Sequence, residues 1–274
     1  MLSYLLPIFI GVLLIGYSVA KPYWREYQRN KIRNRPFKKE WRKIIQQRMP
    51  YFRKMPADLQ LQLKQHIQVF LAEKNFIGCN GLEITDDIRI TVSAQACLLL
   101  LNRKTGYYPK LQTILVYPRA FIKEQQSMTS AGVLKVQKMA LAGESWDFGK
   151  VVLSWQDTVD GAKIPDDGHN VVIHEFAHQL DQENGKANGA PILDKGQSYQ
   201  CWSDVFSKHF QHLKKQAQTG EPSLFDYYGA TEPAEFFAVV SEVFFEQAQP
   251  FFHKYPMLYQ QLTEYYQVDP THWR

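Results

Sequence analysis

The chain has 274 residues, 45% of them hydrophobic, enough for one membrane segment plus one or two compact units. Its net charge of +5 is local: residues 21–48 carry eleven Lys or Arg against Glu26 and Glu40, a net +9, which leaves −4 for residues 49–274 and excludes a basic, nucleic-acid-binding body. Three cysteines, odd in number and without a close pair, exclude a disulfide framework.

Residues 1–20 contain no charged side chain, a length that suits a bilayer core. The basic flank that follows places itself on the cytoplasmic side, and Tyr17, Tyr23 and Trp24 suit the membrane interface. The expectation is a single-pass anchor over 1–20, a basic juxtamembrane linker over 21–48 and a cytoplasmic domain over 49–274. A cleaved secretory signal ending at Ser18-Val-Ala20 is the alternative; no basic residues precede the apolar run to support it.

Residues 37–55 read as a basic linker or helix ending near Met49-Pro50. Leu59, Leu63, Ile67 and Phe70 recur at helical spacing and predict a helix over 57–74. A short strand is expected over 82–84, a buried helix over 91–101, and strands over 113–117, 133–141 and 150–155. The segment 151–155 is β-rich; it is either the edge strand along which an extended ligand pairs or a buried central strand. Further helices are expected over 197–218 and 255–266. The sum is an α+β fold with a small sheet first and mostly helices after it.

Between these lies His174-Glu175-Phe176-Ala177-His178. Asp166, Asp167 and Asn170 offer N-caps for a helix there, and Asn184-Gly185 offers a stop. Ile173, Phe176, Ala177 and Leu180 form an apolar stripe, while His174, His178 and Asp181 form a second one. Two His four apart project from one helix face and can reach one zinc ion, with the intervening Glu beside it. The pattern alone also fits an amphipathic helix with two ordinary His.

A catalytic zinc takes three protein ligands and keeps an open position. In the segment from Tyr228 to Phe245, Thr231 can cap a helix with Pro233 in its first turn, burying Phe236, Phe237, Val240, Val243 and Phe244. Glu235 and Glu242 then share one face, and a carboxylate on such an aromatic-flanked helix needs a partner such as a metal.

His174-Glu-Phe-Ala-His178-Gln-Leu-Asp181, followed by Tyr228 and by Pro233-Ala-Glu235-Phe-Phe-Ala-Val, resembles the Mlc titration factor A family. The segments 143–146 and 149–155 and the tail over 252–270 add to the likeness, which covers roughly residues 45–270. The resemblance implies a bacterial, glucose-regulated zinc metallopeptidase with a zincin-like fold, its core related to that of anthrax lethal factor. It implies one zinc per chain held by His174, His178 and Glu235, with Glu175 as general base and Tyr228, favoured over its neighbour Tyr227, stabilising the transition state. The implied reaction is hydrolysis of peptide bonds by Glu-assisted attack of zinc-bound water, aminopeptidase-like with weak endopeptidase activity. With the anchor, it would sit at the bacterial inner membrane with the catalytic body in the cytoplasm. The alternative function is a membrane-tethered regulatory protein that binds and sequesters a transcriptional repressor. Where thermolysin-like enzymes carry an acidic residue four positions after the third ligand, this chain has Val239, so Asp181 or Glu242 is the candidate for orienting the imidazoles.

Overall fold

The computed structural model describes residues 2–104, 106–119, 121–128, 134–141, 143–146, 149–164 and 166–273. Helix α1 (Leu2–Arg33) runs without a break through residue 20. Its second half docks on the protein. Arg29 is buried and forks onto Glu73, Nε to Oε1 at 2.7 Å and Nη2 to Oε2 at 2.9 Å, and also donates to the Gly106 carbonyl. Arg33 donates to the Tyr107 hydroxyl, which lies 2.8 Å from His66 Nδ1. Burial, with the charge of Arg33 nearby, pushes His66 down to about 4, so this contact is made by a neutral ring at neutral pH.

Among the described residues no helix is long and apolar enough to cross a membrane, and the predicted transmembrane helix is not supported. The side chains of residues 1–8 lie outside those described. The stretch 21–48, expected as a linker, is mostly helical: the second half of α1, then, after a break over 34–38, α2 (Lys39–Arg48), whose Ile45 is fully buried. Arg48 at its end pairs with Asp87.

Helix α3 (Ala57–Glu73) leads into strand β1 (Asn75–Gly78). The strand expected at 82–84 is not formed. A turn at Asn80 and Gly81, both at positive φ, folds the chain back so tightly that a Cβ on Gly78 would overlap the Leu82 carbonyl. Helix α4 (Asp86–Leu98), capped by Thr85, is buried along almost its whole length. Strand β2 (Thr113–Tyr117) has the predicted bounds. Strands β3 (Phe121–Met128) and β4 (Leu134–Leu141) pair antiparallel as a separate two-stranded ladder. Strands β5 (Gly143–Trp146) and β6 (Lys150–Ser154) complete a main sheet of order β1-β2-β6-β5. Its first three strands are parallel, and β5 runs antiparallel to β6.

Strand β6 is therefore interior, paired on both sides, and cannot be the free edge. Its run Val151-Val152-Leu153 is buried at every residue, as a central strand requires. Among the described residues β1 and β5 are the edge strands, and β5 is the one beside β6.

Helix α5 (Trp155–Lys163) follows β6 directly, capped by Ser154. Then come α6 (Val171–Asp181), α7 (Tyr199–Thr219), α8 (Pro233–Glu246), α9 (Ala248–Lys254) and α10 (Pro256–Tyr266). The molecule is thus a mixed α/β, mostly helical structure with a small parallel sheet. The apolar side of α6 packs Phe176 against Phe70 and Tyr108, with ring centroids 5.7 and 4.8 Å apart. Phe236, Phe237, Val240, Val243 and Phe244 of α8 are all buried, as their spacing predicts.

The loop between α6 and α7 approaches the start of α8 at Gly189, whose φ is +77°. A Cβ there would lie 2.5 Å from the Pro233 carbonyl oxygen. Gly189→Ala therefore combines left-handed strain with a backbone clash, expected to cost about 1–3 kcal/mol. Thermal unfolding should show a Tm lower by roughly 4–10 °C; an unchanged Tm would mean the loop yields freely.

Candidate metal centre

Asn170 caps α6 through its side-chain oxygen, which accepts from the Ile173 amide at 3.0 Å. Of the three expected caps this is the one used. The cap fixes the helix start four residues before His174, so His174 and His178 emerge from one face a turn apart. Helix α8 begins with Glu232 as N-cap and Pro233 in its first turn, whereas Thr231 donates its hydroxyl to the Tyr228 carbonyl. That start aims Glu235 at α6.

The three predicted ligands converge. Glu235 Oε2 lies 3.1 Å from His174 Nε2 and 3.3 Å from His178 Nε2, and the two imidazole nitrogens are 3.2 Å apart. The potential ligand atoms all lie within 4.8 Å of one another. Burial alone would raise Glu235, but hydrogen bonds from His174 and His178 outweigh it and hold the carboxyl down at about 2. Burial likewise opposes a charged His174, and its contacts with Glu235 and Glu242 reverse that and raise it well above its ordinary value. An arrangement that stabilises positive charge between two rings and a carboxylate also suits a divalent cation, whose binding displaces the proton. Two imidazoles and one carboxylate are the donor set of open, catalytic zinc sites.

Glu175 is 4% exposed, and its Oε2 has no hydrogen-bond partner among the described residues. Burial pushes its carboxyl up to about 7, against the pull of His174 and His178. A group at that value can both accept and return a proton near neutrality. Tyr228 sits at the rim, 49% exposed, its ring centroid 6.0 Å from that of His174. Burial, with Glu235 and Glu175 nearby, raises its hydroxyl to about 12 and keeps it a proton donor. Tyr227 instead donates to the Glu221 carbonyl.

Of the two carboxylates expected to orient the rings, Glu242 reaches His174: its Oε1 lies 2.8 Å from Nδ1. Its other oxygen accepts from the Asn170 amide at 2.5 Å. Asp181 Oδ2 accepts instead from the Asn188 and Gly189 amides, tying α6 to the following loop. Glu242→Gln is expected to lower metal affinity or turnover roughly 10–100-fold. A competition titration with a chelator, beside kcat/KM, would show no change if Glu242 only caps the helix.

Sequence reasoning missed Gln95 and Glu246. The Asn170 side-chain amide donates to Gln95 Oε1 at 2.7 Å and to Glu246 Oε1 at 2.9 Å, locking α6 to α4 and α8. Glu246 lies four residues after Glu242 on the same face, a spacing that could have flagged it. Gln95 carries no comparable signal.

Two helices presenting His, Glu and His from one and a distal Glu from the other define the class, a metallopeptidase of the HExxH type. Residues 24–267 match the family of glucose-regulated metallo-peptidases, M90, and the chain belongs to that family. An uncharacterised protein of Synechocystis is 40% identical over 266 residues, 97% of this chain and 96% of its own length. Mlc titration factor A of Klebsiella pneumoniae is 32% identical over 214 residues, 77% of this chain and 80% of its own. That of Enterobacter is 29% identical, over 81% of this chain and 84% of its own. The family match begins inside α1 and includes α2, earlier than the sequence likeness near residue 45 suggested.

Proposed function

We propose that the chain is a zinc-dependent peptidase with a zincin-like core, acting in aminopeptidase fashion on extended peptides. The convergence of His174, His178 and Glu235 beside the buried, unpartnered Glu175 oxygen carries this reading. These three side chains would hold one zinc per chain, and zinc there supplies Lewis acidity toward a carbonyl and a water. Glu175 takes the proton from the attacking water and returns it to the leaving amine. The Tyr228 hydroxyl donates to the oxyanion as it develops, a task for a preorganised donor. The peptide backbone pairs along the open side of β5, which lies against α6.

The test incubates the zinc-loaded 274-residue chain with a mixed peptide set and identifies the products by mass. Stepwise loss of N-terminal residues supports the aminopeptidase reading. Internal cuts replace it with an endopeptidase, and no hydrolysis sinks it. Tyr228→Phe should lower kcat roughly 10–1,000-fold with zinc retained; equal kcat would remove Tyr228 from the reaction.

A second reading is favoured by the name of the relatives called Mlc titration factor A: binding of a transcriptional regulator, with or without hydrolysis. Capture on the Glu175→Gln chain that enriches no regulator argues against it. We also propose that the uncharged start of α1 meets the bacterial inner membrane with the body on the cytoplasmic side, since Phe9, Leu13, Leu14, Ile15 and Val19 stand exposed ahead of the basic run. An alkaline phosphatase fused after residue 60 should be inactive; high activity would overturn that orientation.

A further inference from the structure

A cavity of about 310 Å³ lies between α7, the loop 188–190 and the start of α8, the helix that carries Glu235. Its volume falls at the small end of those that hold organic ligands. None of its described lining residues is charged, and Trp202, Phe206, Phe210 and Phe236 form much of its wall.

Both of its other walls are built on the elements that carry the ligands. Pro233 and Phe236 flank Glu235 on α8. The loop 188–190 hangs from Asp181, less than one helical turn past His178, through the Asn188 and Gly189 amides at 2.8 and 2.7 Å. The cavity is also held in shape. Trp202 stacks on Phe206 at a centroid distance of 4.0 Å and donates its indole N–H to the Gly189 carbonyl at 2.9 Å. Ser203 and Ser207 stand exposed among its lining residues, so larger residues there would fill it without disturbing the core.

We propose that this cavity takes one aliphatic or aromatic side chain of the peptide cleaved at the metal centre. The proposal rests on the peptidase reading above. An uncharged aromatic pocket rejects Lys, Arg, Asp and Glu side chains by desolvation and favours Leu or Phe over Ala by the apolar area buried. Because Pro233 and Phe236 of its wall flank Glu235 in sequence, that selection falls to a residue close to the scissile bond.

The test compares peptides differing only in Ala, Leu, Phe or Lys at positions around the cleavage site, cut by the zinc-loaded chain and by Ser207→Trp. Wild type should cut next to Leu or Phe roughly 10–200-fold faster, in kcat/KM, than next to Ala. Ser207→Trp should bring that ratio to within about threefold, at equal zinc stoichiometry. Hydrolysis with no apolar preference, or a preference that Ser207→Trp leaves intact, overturns the pocket and spares the peptidase. A second readout covers a chain that hydrolyses nothing: ligand-observed NMR with N-acetyl-phenylalaninamide and N-acetyl-alaninamide. Binding of the first alone, lost in Ser207→Trp, supports the cavity as a side-chain pocket while the peptidase reading fails; binding of neither overturns both. A wild-type dimer that Ser207→Trp turns into monomer would assign the cavity to a second copy and overturn the proposal.

Discussion

Glu175→Gln should leave the chain folded and metal-loaded while cutting turnover by roughly 10²–10⁴-fold, the share a positioned proton-transfer group contributes. The substitution keeps the shape of a side chain that is 4% exposed and removes a carboxylate whose Oε2 has no described partner. Unfolding should therefore occur at the same temperature as wild type or above it, because an uncompensated buried acid is traded for a neutral amide. Metal content and steady-state rates, measured side by side on both chains, check this. Full turnover in the variant would show that another group moves the proton.

Glu235→Ala should fail earlier, at the metal itself. Structural zinc sites with four ligands gain on the order of 10–16 kcal/mol, about 3 kcal/mol for each ligand, so removing one should weaken affinity roughly 10²–10³-fold. The loss is sharpened because, among the described residues, Glu235 Oε2 is the one acidic atom in contact with both imidazoles. A chelator titration reads the affinity directly. Wild-type affinity would mean that His174, His178 and some other group form the site. Together the two variants separate holding the metal from using it: one keeps metal and loses rate, the other loses both.

Much of the site was legible because its signals are local. Asn170 before an apolar stripe announces the start of α6, and the four-residue spacing of His174 and His178 follows from the helix repeat alone. Glu235 was reachable because Pro233 and the buried aromatics fix which face of α8 it shares. Pairing between strands is a different matter. Nothing local in 150–154 says whether both of its sides are occupied, and β5, the edge strand next to it, has only four residues and no alternating pattern. The helical course of residues 21–33 was hidden by their charge, which reads as solvated. Only tertiary contacts show Arg29 spent on Glu73, 44 positions away. The Asn170 contacts to Gln95 and Glu246 span 75 and 76 positions and leave no trace in any short window.

Glu242 holds the His174 ring with one oxygen and the backbone of Asn170 with the other. The imidazole and the first turn of its helix are thereby latched to the same anchor, so the ring cannot swing away unless α6 frays at its start. An arriving ion then finds this ligand immobilised in advance and spends no entropy ordering it. Amide exchange at the start of α6 should accordingly slow on metal loading, and loosening that turn from a distance would weaken the grip on the ion with every ligand still in place.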